Sequence, residues 1–208
     1  MRVFKTFLGS FIVALGIVVL LEAQQGADPL SVFLLGFINQ TGEFLGHHTF
    51  GTLSTTLGLL ILLIVFKIDS SKVGIGSLIN SFSVGVFINL LYSLHLDRII
   101  SLPVVLNLIL GPIIIGIGLA LYLSADLGAG FIEGTMLIIV ERTGFGMKYV
   151  RIALDTSFVG IGLLLGAPFG WGILTGVLLI GPTIEYALKF FNRSKQLKAG
   201  MEETNNGI

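Results

Sequence analysis

Residues 8–32 read LGSFIVALGIVVLLEAQQGADPLSV, and residues 110–134 read LGPIIIGIGLALYLSADLGAGFIEG. They align at a constant shift of 102: Leu8-Gly9 falls on Leu110-Gly111, Gly16 on Gly118, Ala23 on Ala125 and Gly26-Ala27 on Gly128-Ala129. The match extends over 8–66 and 110–168, with Thr41-Gly42 on Thr143-Gly144 and Gly58 on Gly160. The second copy then lacks six residues, and the match resumes at a shift of 96. There Gly74 meets Gly170, Gly76 meets Gly172, Gly85 meets Gly181 and Asn89 meets Glu185. Internal duplication in an apolar chain is a signature of membrane transporter folds.

Composition agrees. The chain is 54% hydrophobic and 12% charged, against about 25% charged in a soluble domain. A polytopic membrane protein is expected, with the lipid bilayer as its surroundings. The absence of cysteine removes disulfides, thiol catalysis and cysteine-held metal. No basic patch occurs outside the C-terminal tail, so no nucleic-acid partner is expected. Arg2 and Lys5 precede an apolar run, as in a signal peptide. The matching segment 104–123 is internal, so the first helix is expected to be retained.

Six stretches are long and apolar enough to span, at about 20 residues each: 4–21, 50–66, 73–94, 103–123, 148–165 and 170–191. Two others, 30–39 and 132–140, are nearer to re-entrant or interfacial half-helices. They hold equivalent places in the two copies. With the N-terminus inside and the half-helices not crossing, the inner ends hold Arg2, Lys5, Lys67, Lys72, Arg142, Lys148, Arg151, Lys189, Arg193, Lys195 and Lys198. Only Arg98 lies outside, as the positive-inside rule asks. Three spans per copy make these inverted-topology repeats. The expected fold is an all-α polytopic membrane protein of six transmembrane helices and two half-helices, both termini cytoplasmic. Repeat 1 is 1–101, repeat 2 is 102–192, and 193–208 is a disordered cytoplasmic tail.

Small residues recur at helical spacing: Gly162 with Gly166, Gly172 with Gly176, and Gly116 with Ala120. They let helix backbones approach closely, or form a sliding surface. The third span carries Ser77, Ser81, Gly85 and Asn89 at i, i+4 spacing, with Asn80 beside them. This polar stripe points away from lipid. Its equivalent ends in Gly181 and Glu185, and the pairs Gly85/Gly181 and Asn89/Glu185 are expected about a shared axis. They line a substrate path or act as interhelical glue. Asp155 lies four residues after Arg151, and Glu185 four before Lys189. Each spacing suits an ion pair, or coupling to a proton or cation. Asp28-Pro29 opens the first half-helix and Gly130-Phe131-Ile132-Glu133 the second. Asp28 and Glu133 cap these helices or favour a cation. The adjacent His47-His48 lacks the spacing of a zinc pair and has no counterpart in the second copy, so no metal or cofactor is expected. No P-loop, Gly-x-Ser-x-Gly or His-Glu-x-x-His occurs, and an enzyme is not expected.

From Gly111 to Phe191 the chain resembles the YczE/YyaS/YitT-type bacterial integral membrane proteins, above all the YczE-like branch. The residues carrying the likeness are Leu127-Gly128-Ala129-Gly130, Glu133-Gly134 with Met136-Leu137, and Glu141-Arg142-Thr143-Gly144. Val150-Arg151, Asp155, Leu165-Gly166 and Ile180-Gly181-Pro182 follow. The family commonly has Gly-Pro-Arg-Asp-Gly where this chain has Gly130-Phe131-Ile132-Glu133-Gly134, keeping an acid but not the proline or arginine. It favours Gly-Thr where this chain has Gly76-Ser77 and Gly172-Ile173. The resemblance implies a bacterial plasma-membrane protein and brings no activity with it. The expected function is a secondary-transporter-like permease for a small solute or ion. The alternatives are an accessory subunit of a biosynthetic or export complex, held by a membrane partner protein or as a homo-oligomer, and a channel.

Overall fold

The computed structural model describes residues 2–41, 48–95 and 102–205, which form eight α-helices and no strand. They are α1 (Arg2–Leu21), α2 (Pro29–Thr41), α3 (His48–Ile68), α4 (Ile75–Ser93), α5 (Val104–Leu123), α6 (Phe131–Thr143), α7 (Met147–Leu164) and α8 (Trp171–Asn205). A 3-10 turn, Ser70–Lys72, joins α3 to α4. Gly42, His47, Arg98 and 206–208, named in the sequence reading, lie outside the described residues.

Five helices are long and apolar enough to cross a membrane: α1, α3 over Phe50–Ile68, α4, α5 and α8 over Trp171–Phe191. The protein is membrane-embedded. The sixth expected span, α7, is not among the five. It has 18 residues and carries Lys148, Arg151 and Asp155, which make it too polar. The half-helices form as α2 and α6, 13 residues each. At 1.5 Å per residue each is about 20 Å long, short of the roughly 30 Å of hydrocarbon. The segment after 192, expected as a disordered tail, continues α8 to Asn205. Its lysines, glutamates, alanine and methionine are good helix formers, and no proline breaks the run.

Burial is inverted relative to a soluble helix. On α4, Ile75, Leu78, Phe82, Val86 and Leu90 point outward at steps of three and four residues, while Ser77, Asn80, Ser81 and Ser83 are buried. An apolar exterior around a polar interior is the arrangement lipid favours.

The centre of the bundle is the pair α1 and α5. A Cβ at Gly16 would lie 2.7 Å from the backbone nitrogen of Ile115, and one at Gly118 would lie 2.7 Å from that of Val13. Gly16 also packs on the carbonyl of Gly111, and Gly118 on that of Gly9. These are the same two contacts with the copies exchanged. Helix α4 packs on α1, α8 on α5, α2 on α7 and α6 on α3. The pairing of α3 with α4 has no comparable counterpart between α7 and α8 among the described residues.

The connections repeat the exchange. The Gly76 N–H donates to the carbonyl of Leu127 at 2.8 Å, and the Gly172 N–H donates to that of Gln25 at 2.6 Å. These positions correspond under the shifts of 96 and 102. Before α2 and α6 the chain turns through left-handed backbone at matched sites, Gln24 and Asp126 at φ 52° and 55°, then Gly26 and Gly128 at 75° and 116°. The glycines accept that conformation without a Cβ clash. Lys72 binds both ends of the α6 unit: its carbonyl accepts from Ala129 at 3.2 Å, and its ammonium pairs with Glu141. The matching Asn39, near the end of α2, donates to the Gly166 carbonyl at 3.3 Å. In the turn after α3, bonds from Ser71 hold the Asp69 carboxyl below its ordinary range, and Glu141 pushes Lys72 up.

Candidate functional site

The starts of α2 and α6 lead to the site. Asp28 precedes Pro29, a residue whose fixed φ suits a first helical position. Its carboxylate accepts the Ser31 N–H at 3.3 Å and the Ser31 hydroxyl. Asp28 therefore caps α2, which answers orphan amides at that end. Gly176 on α8 admits this start closely, since a Cβ there would lie 3.1 Å from the Asp28 Cα. Gly172 packs on Gln25 and Gly26 in the same way. At α6 the cap is Gly130, which has no side chain to bond the helix, and Glu133 sits in the first turn.

Helix α7 brings the positive charge. Arg151 Nε donates to Asp155 Oδ2 at 3.0 Å, the i, i+4 pair its spacing allows. Arg151 Nη1 lies 3.7 Å from Glu133 Oε1, too long for a hydrogen bond. Asp155 and Glu133 are each 16% exposed, so this arginine joins two carboxylates within the bundle. Helix α4 supplies neutral polar groups. Asn80 accepts from the Ser10 hydroxyl at 2.9 Å, tying α4 to α1 through a buried bond. The Ser81 hydroxyl is buried and has no partner among the described residues.

These groups surround one cavity of about 80 Å³, with lining residues from all eight helices or the turns that open them. Asp28, Asn80, Ser54 and Ser81 share it with Glu133, Arg151 and Asp155. Apolar walls come from α1, α4, α5 and α8, among them Val13, Val84, Leu119 and Ile180. Five of the seven residues the sequence singled out for a substrate path therefore meet. Two do not. Glu185 is 67% exposed and bonds Lys189 at 2.6 Å on the outer surface of α8. Asn89 lies at the α3–α4 contact, donating to the Thr52 hydroxyl at 3.1 Å. Their expected meeting about a shared axis is corrected by these positions: equivalent places in the two copies face different neighbours.

Most expected packing glycines have close partners. Gly85 packs on Gly51 and Thr55, Gly116 on Thr183, Gly162 on Val32 and Phe33, and Gly166 on Asn39. Gly181 is the exception, with nothing within 4 Å of a Cβ placed there. The sequence also missed Ser54 and the apolar walls, which look like any core residues. Ser81 was visible only as part of the α4 stripe. No group of three His, Cys, Asp or Glu among the described residues is close enough to hold a metal ion.

Comparison with known proteins agrees with the membrane reading. A family of unknown function, DUF6198, matches residues 1–189. The uncharacterized membrane protein YczE of Bacillus subtilis is 27% identical over 88% of this chain and 83% of its own length. An uncharacterized protein of Haemophilus influenzae is 27% identical, covering 81% of this chain and 74% of its own. The uncharacterized protein YyaS of Bacillus subtilis is 22% identical over 89% and 92%. No solved structure matches.

Proposed function

The chain belongs to the DUF6198 family, and on that premise we propose that it is a secondary-transporter-like permease for a small solute rather than an enzyme. It sits in the bacterial plasma membrane as two inverted repeats, with α7 as the sixth span, α2 and α6 as re-entrant half-helices, and both termini cytoplasmic. One observation carries the reading: charged and polar groups from five separate parts of the chain converge on one cavity inside an apolar bundle. Ionisable groups at membrane depth are costly, so they mark substrate or ion pathways by default. In inverted-repeat transporters the half-helix starts converge on the solute site, and here Asp28 and Glu133 line one cavity.

The topology has support of its own. Lys72 meets Ala129 before α6 and Glu141 near its end. A short helix whose two ends reach one turn fits a re-entrant segment better than a span. Asn39 and Gln25 meet the α7–α8 connection in the same manner. These contacts support half-helices that enter from opposite faces, since each meets a different connection of the bundle.

One observation favours an accessory subunit instead: α8 runs past Phe191 to Asn205, a polar arm that a membrane partner could hold. Flux separates the two. Purified wild type in proteoliposomes moves at least one solute of a broad small-molecule panel. Glu133→Ala and Asp155→Ala abolish that flux, and Glu185→Ala leaves it intact. Wild type moving nothing across the panel, or losing flux equally in Glu185→Ala, sinks the permease.

A further inference from the structure

Ser81 is 3% exposed, lines the cavity, and has a hydroxyl with no hydrogen-bond partner among the described residues. Buried polar atoms are nearly always answered, so an orphan on a residue of the cavity wall points to something that binds there. The charges say what kind of thing. Three carboxylates, Asp28, Glu133 and Asp155, face one guanidinium, Arg151. Helices α2 and α6 both begin at this wall, and each helix start contributes about half a positive charge. Asp28 answers the α2 start through its cap, which leaves Glu133 and Asp155 facing one guanidinium and the α6 start.

The carboxylates are not equally available. Asp155 holds Arg151 and Asp28 holds Ser31, while Glu133 accepts no hydrogen bond among the described residues. An anion would find the guanidinium engaged and three carboxylates opposing it. A divalent metal would need several oxygens at short range, and the acidic groups are too dispersed for that. Much of the wall is hydrocarbon, including Val84, Leu119 and Ile180. We propose that the cavity binds a small monovalent organic ammonium ion, its head on Glu133 and Ser81 and its short apolar body on those three side chains. This names the substrate class of the permease site and rests on that reading.

The test is calorimetric titration of the purified full chain with ethylammonium, 1-propanol and propionate, which share an ethyl group and differ in the charge of the group it carries. Ethylammonium binds saturably; the alcohol and the carboxylate do not. Glu133→Gln weakens binding about tenfold or more, the size of a charge-assisted hydrogen bond. Ser81→Ala weakens it about two- to tenfold, as a neutral bond would. The serine variant removes a single oxygen and reports even where the glutamine variant fails to fold. No saturable binding of ethylammonium overturns the proposal. So does equal binding of propanol or propionate, or unchanged binding in both variants. Ethylammonium binding without flux of any solute upholds this inference and removes the permease. Flux of a neutral or anionic solute without ethylammonium binding does the reverse.

Discussion

Arg151 is the residue on which the interior charges depend. It bonds Asp155 and lies near Glu133, and it is the basic residue among those lining the cavity. Removing one partner of a buried ion pair leaves an uncompensated charge and costs about 3–5 kcal/mol. Arg151→Met is therefore expected to lower thermal stability by roughly that amount. Asp155→Leu is milder, since Glu133 remains beside the arginine. The double variant costs less than the sum of the singles, because it removes both charges together. Strict additivity in thermal unfolding would contradict the pair. The sequence showed this pair through its spacing alone. The same spacing showed Glu185 with Lys189, and that pair faces outward. Spacing tells which side chains on a helix meet, not which face of the helix the bundle covers. That second fact depends on packing from distant segments, which is why Ser54 and Leu119 carried no signal.

At the scale of elements, the short helices were legible because ten apolar residues cannot span a bilayer and both copies show the same gap. Their caps were legible too, since Asp-Pro and a glycine run are local signals. The polarity of α7 was equally plain in its three charges, although length alone made it look like its neighbours. Glycines were legible as a class but not one by one. Gly118 abuts the backbone of Val13, whereas Gly181 faces open space. Gly118→Ala gains about 1 kcal/mol of helix propensity and meets about 1–3 kcal/mol of overpacking against atoms that cannot rotate away. A net loss of stability is expected. Gly181→Ala keeps the propensity gain without the clash and is neutral or stabilising. Thermal unfolding of the two variants side by side checks this, and a more stable Gly118→Ala would contradict the tight α1–α5 crossing.

At the scale of the molecule, the duplication is more than a similarity of letters. Gly9 and Gly16 meet Gly118 and Gly111, and Gly76 with Leu127 repeats as Gly172 with Gln25. The copies depart from one another where charge enters. Helix α7 carries Arg151 and Asp155 where α3 has the uncharged Thr49 and Leu53, and it does not repeat the α3–α4 contact with α8. The central claim is that the copies run in opposite directions around one cavity. It puts the turn after α3 on one side of the membrane and the turn before α8 on the other. Lacking cysteine, the chain can report this directly through single substitutions. Lys67→Cys and Phe169→Cys both place a thiol at an exposed position. In intact cells a membrane-impermeant maleimide should label Phe169→Cys at once and Lys67→Cys only after permeabilisation. Labelling of both from the same side would contradict the inverted arrangement.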